Sequence, residues 1–205
     1  MKTLLIDTCT NRIIVAIADN FTIFSFCNEI IENQMSNVIM ERIEKCFNEA
    51  NIKPTEIKRI LVAVGPGSYT GIRIGVTIAK TLAWALKKEI IPISSLEIMV
   101  SGYSDDKLLV PYIDARRNAV FGAIYDNNLN IVLKDQYIQL DSLKSKLTNK
   151  EFLFVSDDNL VESHEPKIDI IKLINKHLND KPVNPHCLNP IYLKNTEAEE
   201  NLKHD

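Results

Sequence analysis

The 205-residue chain has few of the residues from which catalytic or metal centres are usually built. Its four histidines all lie between His164 and the C-terminus, and no two have the spacing that places two imidazole rings on one face of a helix for a metal ion. The four cysteines are far apart and form no CxxC pair, which is typical of buried thiols in a reducing compartment. The sequence therefore predicts neither a metal site nor a disulfide framework.

Long apolar runs and an excess of one charge are also missing. No run approaches the ~20 apolar residues that cross a bilayer, and Asp7 interrupts the first strand too early for a signal peptide. With 24 basic and 27 acidic residues the net charge is −3, so no global charge attracts nucleic acid or an anionic membrane. These features predict a folded, cytoplasmic protein that does not associate with membranes.

Two segments of the chain resemble each other at a constant offset. Residues 6–20 and 113–127 align without a gap, and seven of the 15 positions are identical, including Asp7 with Asp114. Each copy has the pattern of a strand that ends in an acidic residue, a polar turn and a second strand. Any two β-hairpins look somewhat alike, but identity at both ends of the window favours a duplication.

Strands that alternate with crossover helices give the fold class. The main helices are predicted at Ser36–Ala50 and Thr70–Lys87, and buried strands flank the second one. This pattern predicts an α/β protein with a mixed sheet covered by helices. We expect two related lobes, residues 1–103 and a smaller 104–205.

A glycine-rich segment at residues 65–75, GPGSYTGIRIG, follows a buried strand and opens a helix. It lacks the Gly-Lys-Ser/Thr of a Walker A loop, its glycines are spaced GxGxxxG instead of GxGxxG, and it does not form a nucleophile elbow. A structural turn with Ser68 or Thr70 as the helix cap is the favoured interpretation. The alternative is an anion or nucleotide contact at the helix N-terminus, for which the candidates are Asp7, Gly67, Ser68, Thr70 and Arg73.

The helix after this turn is apolar over more than the single stripe that packs on one sheet. Small residues recur every four positions on one face, and Ile72 and Val76 lie on another, so we expect it to be buried on two sides. The preceding helix offers a second apolar face. A partner interface is therefore predicted at Ile39, Met40, Ile43, Phe47, Gly71, Ile72, Gly75, Val76, Ala79 and Ala83. The alternative is that the C-terminal lobe covers these helices.

Asp7 and Asp114 are the best candidates for acid–base or cation-binding chemistry, since each closes a central strand. Capping of the hairpin turns is an equally good interpretation. Arg116 and Arg117 follow Asp114 and could pair with it or contact an anion. No basic stripe interleaved with aromatic residues indicates autonomous RNA binding.

Five segments occur in an order typical of one family. They are Ile6-Asp7-Thr8, the glycine-rich segment at 65–75, Ser94-Ser95-Leu96-Glu97, Ile113-Asp114-Ala115-Arg116-Arg117 and Pro190-Ile191-Tyr192-Leu193. Together they resemble the TsaB family (formerly YeaZ), a bacterial subunit of the machinery that makes threonylcarbamoyladenosine in tRNA. The resemblance spans essentially the whole chain, and GPGSYTGIRIG followed by IDARR is its most specific part.

The resemblance implies a duplicated actin/Hsp70-like fold (ASKHA, ribonuclease H-like), in agreement with the internal repeat. It implies a non-catalytic paralogue of TsaD, the catalytic subunit, bound through a bundle of the first two helices of each chain. The ATPase TsaE joins that pair, and tRNA is reached through the complex. ATP and a metal ion are expected on the partner subunits, with no cofactor held stably by this chain. Alone, the chain could form a homodimer through the same helices.

One departure from the family pattern lies at the start of the first helix. Family members often have His-Ser-Glu there, whereas this chain has Met35-Ser36-Asn37, so only the helix-capping role of Ser36 is carried over. Two alternatives to a scaffold remain. A stand-alone ASKHA ATPase or phosphotransferase would need glycine-rich phosphate loops, yet residues 7–10 and 114–117 contain no glycine. A peptidase would need a nucleophile with a base partner, and no such pair stands out.

Overall fold

A computed structural model describes residues 1–31, 35–147 and 150–194. The first half of the chain forms a five-stranded mixed sheet in the order β3-β2-β1-β4-β5. Its strands are β1 (Thr3–Asp7), β2 (Arg12–Ala18), β3 (Ile23–Ile30), β4 (Arg59–Ala63) and β5 (Glu89–Ile93). β2 pairs antiparallel with both β1 and β3. On the other side of β1, β4 pairs parallel with β1, and β5 pairs parallel with β4. β1 and β4 are buried on both faces, as expected for central strands covered by helices.

Three helices belong to this half: α1 (Met35–Ala50), α2 (Tyr69–Leu86) and the short α3 (Ser95–Val100). A 3-10 turn at Pro54–Glu56 leads into β4. Ser68 caps α2, since its Oγ accepts a hydrogen bond from the backbone N–H of Gly71 at 3.2 Å. Ser36 was predicted to cap α1, but the helix begins at Met35 and includes Ser36, so that prediction is wrong.

The second half repeats the arrangement in a four-stranded sheet of order β8-β7-β6-β9. Its elements are β6 (Leu108–Asp114), β7 (Ala119–Tyr125), β8 (Ile131–Gln139), α4 (Leu140–Ser145), β9 (Phe152–Val155) and α5 (Ile170–Lys176). Again three strands run antiparallel and the next one adds parallel to the first. The hairpin turns match as well, because Asp7 Oδ1 accepts from Cys9 N and Asp114 Oδ1 from Arg116 N, both at 2.7 Å. The duplicated fold predicted from the repeat is confirmed.

The larger hydrophobic core spans both halves, and a second, smaller one lies within the second half. The largest cluster of buried residues contains the strands of the first sheet together with Leu173 and Leu188 from the end of the chain. The segment after α5 runs back over the first half, where Val183 N donates to Ile90 O and Ile191 N to Val64 O. The predicted boundary near residue 103 falls between the two sheets, while residues 170–191 pack on the first half. No helix in the described ranges is both long and apolar enough to cross a membrane.

Candidate functional site

A cleft of about 560 Å³ lies between the two sheets. The β1–β2 turn and the glycine-rich loop form one wall, including Cys9, Gly67, Ser68 and Thr70. The opposite wall comes from the second half. Its charged side chains among the described residues are Asp114, Asp157 and Asp158, so this wall is acidic.

The glycines of the motif serve packing within the chain. A Cβ atom on Gly67 would lie 2.0 Å from the carbonyl oxygen of Cys9, and one on Gly71 would lie 2.1 Å from that of Thr8. The same contacts hold the loop in place, because Ser68 N donates to Cys9 O at 2.6 Å and Thr8 Oγ1 to Gly71 O at 2.7 Å. The motif therefore lets the start of α2 approach the β1–β2 turn closely, which supports its interpretation as a structural turn.

Asp7 is buried at this turn and accepts the hydrogen bond from Cys9 N. Burial raises its pKa, although hydrogen bonds from Cys9 and Thr8 act in the opposite direction. Burial also raises the pKa of the Cys9 thiol well above its usual range, and the nearby Asp7 adds to the effect. A thiol with a raised pKa is a poor nucleophile at neutral pH. Asp7 thus acts as a turn cap, the second of its two predicted roles.

Arg73 does not face the cleft. Its guanidinium lies 4.2 Å from the centre of the Tyr69 ring, and its Nε donates to the Tyr192 hydroxyl at 2.9 Å. The rings of Tyr69 and Tyr192 also stack on each other, 4.9 Å between centroids. No sequence pattern predicted this cluster, although both tyrosines belong to the family motifs quoted above.

The structure therefore separates the five candidate anion contacts. Gly67, Ser68 and Thr70 line the cleft, whereas Asp7 is engaged beneath the turn and Arg73 is engaged on the outer side of α2. Of the charged side chains that line the cleft, Asp157 is paired with Arg12, whereas Asp114 and Asp158 would repel a phosphate.

Nine of the ten predicted interface residues are buried within the chain itself, and only Met40 is exposed, by 52%. The buried nine are Ile39, Ile43, Phe47, Gly71, Ile72, Gly75, Val76, Ala79 and Ala83. All nine were predicted to contact a partner, and in the chain alone other parts of the same chain already cover most of their surface. The physical reason is close packing: a Cβ on Gly75 would lie 2.4 Å from Thr8 Oγ1, so the small-residue stripe seats α2 on its own sheet.

The free surface lies beside that stripe, in a groove between α1 and α2. It consists of two hollows of about 500 and 600 Å³ that share Met40. Ile74, Ile78 and Leu82 of α2 are half-buried and line the groove from one side. Ile39, Ile43 and Phe47 of α1 form parts of its floor. We call this surface the α1/α2 groove.

Comparison with known proteins agrees with the fold and the motifs. The family model described as TsaD, tRNA N6-adenosine threonylcarbamoyltransferase, matches residues 27–156. The tRNA threonylcarbamoyladenosine biosynthesis protein TsaB of Bacillus subtilis is 32% identical, over 97% of this chain and 96% of that protein. A tRNA N6-adenosine threonylcarbamoyltransferase of Persephonella marina is 30% identical over 37% of this chain and 22% of its own length. The structure of YeaZ from Pseudomonas aeruginosa superimposes with a TM-score of 0.81 over 94% of this chain and 99% of that one, at 18% identity.

Proposed function

This chain belongs to the TsaB family, and on that premise we propose that it acts in the biosynthesis of threonylcarbamoyladenosine in tRNA as a non-catalytic subunit. In this role it binds the threonylcarbamoyltransferase TsaD and stabilises its active arrangement. The transferase then places the threonylcarbamoyl group on the adenosine next to the anticodon, in tRNAs that read codons beginning with A. Such coupling between a bound subunit and an active state is typically worth ~1–3 kcal/mol.

The α1/α2 groove carries this proposal. Met40 is exposed, and Ile74 and Ile78 remain half-buried beside it, although the chain has a large core in which to bury them. Apolar grooves between neighbouring helices are typical sites for another pair of helices. TsaD-type proteins match this chain over its α1–α2 region, so the paralogue offers helices of related geometry. The same groove would support a homodimer when the chain is alone.

The cleft favours a scaffold over the two enzymatic alternatives. A stand-alone ATPase or phosphotransferase needs a site that accepts phosphate, and the carboxylates of Asp114 and Asp158 on the cleft wall oppose one. A peptidase needs an activated nucleophile, and Cys9, the cysteine among the described residues that line the cleft, has a raised pKa. We therefore assign ATP and the metal ion to the partner subunits TsaD and TsaE. Contact with tRNA is made through the complex, in the cytoplasm.

Incorporation of labelled threonine into unmodified tRNA tests the function. Purified TsaD, TsaE and the enzyme that supplies threonylcarbamoyl-adenylate are assayed with this chain, without it, and with this chain alone. We expect modification only when this chain and its partners are combined. Modification by this chain alone would refute the non-catalytic role, and modification that does not depend on the chain would refute the function.

Binding of TsaD tests the groove separately. Met40→Glu places a charge on the exposed edge of the groove and should weaken binding roughly tenfold or more, as at central interface positions. Ile131→Glu is the matched control, because Ile131 is 57% exposed on β8 of the second sheet. Equal affinity of both variants and the unmodified chain would rule out the groove.

A further inference from the structure

We propose that residues 185–193, here called the strap, form a third element of the TsaD-binding surface, beside α1 and α2. The inference rests on the proposed function and extends it to a part of the chain far from both helices in sequence. A strap in this role must be fixed in position, must expose side chains suited to a partner, and must adjoin the α1/α2 groove.

The strap is fixed along the length of α2. Three α2 residues contact it in turn: Arg73 through the Tyr192 hydroxyl at 2.9 Å, Lys80 through Leu188 O at 2.7 Å, and Trp84 through the His186 ring at 6.1 Å between centroids. These positions are seven and four residues apart and share one face of the helix. As residue numbers rise along α2 they fall along the strap, so the strap runs antiparallel to the helix. Its backbone is held from below by the bond from Ile191 N to Val64 O.

The side chains that this arrangement exposes are large and apolar. Trp84 is 63% exposed, Ile191 51% and Tyr192 44%, although the backbone under Ile191 is hydrogen-bonded to the core. Exposed aromatic side chains on an immobilised backbone lose little conformational entropy on binding, which is why tryptophan and tyrosine are enriched among residues that dominate interfaces. A surface of this kind suits a protein partner.

The strap adjoins the groove through shared residues. Tyr69 and Arg73 line the groove at its α2 side, and both contact Tyr192, the first through its ring and the second through a hydrogen bond to the hydroxyl. Tyr69 also lines a smaller hollow of about 170 Å³ with Ile191 and Tyr192. The strap and the groove therefore adjoin each other at Tyr69 and Arg73. This continuity is the reason for assigning the strap to the same partner.

Charge indicates what the partner presents there. Two basic groups accompany the apolar side chains on the strap side of α2, namely Arg73 and Lys80. The facing surface of TsaD is expected to be apolar with acidic residues at its edge, since complementary charges fix register and speed association.

Ile191→Glu and Trp84→Ala test the strap, with Ile131→Glu as control for a new charge at an exposed isoleucine. TsaD affinity is measured by calorimetry, and urea unfolding verifies that each variant is folded. We expect a loss of roughly tenfold or more in affinity for Ile191→Glu and a clear loss for Trp84→Ala, with no change for the control. Trp84→Ala adds no charge beside the core, so it decides the outcome if Ile191→Glu does not fold.

The outcomes separate this inference from the proposed function. If Met40→Glu weakens binding and both strap variants bind normally, the strap is not part of the surface but the groove is. If the strap variants lose self-association and keep their TsaD affinity, the strap belongs to a homodimer and the inference is overturned. If the unmodified chain does not bind TsaD, both proposals fail.

Discussion

Replacing His177 with glutamine should remove a pH-dependent part of the stability of this protein. His177 closes α5 and is buried between two carboxylates, with Nε2 3.2 Å from both Glu97 oxygens and Nδ1 2.7 Å from Asp180 Oδ2. A neutral imidazole has only one N–H donor, so both contacts are satisfied only by the protonated ring. Lys176 also contacts Glu97. The main-chain oxygen of His177 is held by Arg59, so the cluster ties the end of α5 to the first half.

The sign of the effect follows from the pKa shifts. Burial lowers the pKa of His177, but the hydrogen bonds and charges of Glu97 and Asp180 outweigh it, so the pKa is raised above its ordinary 6.5. The stabilisation is therefore fully present below pH 6.5 and is lost as the pH rises through the folded-state pKa. For Glu97, burial raises the pKa, but His177 and Lys176 outweigh it, so the pKa lies below its ordinary 4.5. Its contribution is present above that value and is lost in acid, so the cluster is complete from about pH 4.5 to 6.5.

The magnitude is set mainly by the buried contact. A hydrogen bond between charged groups contributes about 1.5–3 kcal/mol, whereas the half-exposed Asp180 adds only about 0–1 kcal/mol. Lys176 still neutralises Glu97 in the variant, so the loss stays below the ~3–5 kcal/mol of an orphaned buried charge. We expect His177→Gln to cost about 2 kcal/mol at pH 6, which corresponds to a melting temperature lower by roughly 4–8 °C.

Urea unfolding of the unmodified chain and of His177→Gln between pH 5.5 and about 9 measures the difference in their free energies of unfolding. Groups that titrate in the same way in both proteins cancel from this difference. The difference should be largest at pH 6 and should shrink as the ring loses its proton. His186→Gln serves as the control, since His186 is exposed. If the free energy of unfolding of His177→Gln and that of the unmodified chain change with pH in the same way, the requirement for a protonated ring is refuted.

Three further substitutions test packing within the first half and between the two halves by urea unfolding. Gly71→Ala should cost about 1–3 kcal/mol, because its Cβ would lie 2.1 Å from Thr8 O; an unchanged unfolding midpoint would mean that the loop has room to move. Arg12→Ala should cost about 1.5–3 kcal/mol, because Arg12 donates two hydrogen bonds, at 2.6 and 2.9 Å, to Asp157 across the halves; a cost below about 0.5 kcal/mol would show that this pair behaves as a solvated one. Ala79→Arg should unfold the chain by burying an unpaired charge, at a cost of several kcal/mol, and a stable Ala79→Arg monomer would contradict the burial of Ala79.

Sequence periodicity predicted the apolar faces of α2 but not which face the chain itself covers. The stripe from Gly71 to Ala83 seats on the sheet because its small side chains permit a close approach, and that depends on Thr8, more than sixty residues earlier in the chain. A repeat of small residues predicts that another element packs closely against the helix, but it does not predict which element that is. The position of the free surface, beside Ile74 and Ile78, follows only once that neighbour is known.

The internal repeat was predictable because its copies keep the same turn chemistry, with Asp7 and Asp114 bonded alike. What differs is the segment after the parallel strand of each half. After β4 comes the glycine-rich loop, which covers the first turn and buries Asp7. After β9 comes Ser156-Asp157-Asp158, in which Asp158 accepts a hydrogen bond from Asp114 N and leaves Asp114 exposed.

This divergence explains the character of the cleft. One wall is an uncharged loop whose glycines pack closely against carbonyl groups of the same chain, and the other wall presents carboxylates. Asp157 on the second wall is already paired with Arg12 of the first half, and a phosphate group beside Asp114 and Asp158 would meet charge of its own sign. The duplicated fold thus keeps its two sheets and its interlobe cleft. Exposed apolar side chains lie on several elements, and those of α1, α2 and the strap, namely Met40, Trp84, Ile191 and Tyr192, are the ones that the proposed function assigns to a partner.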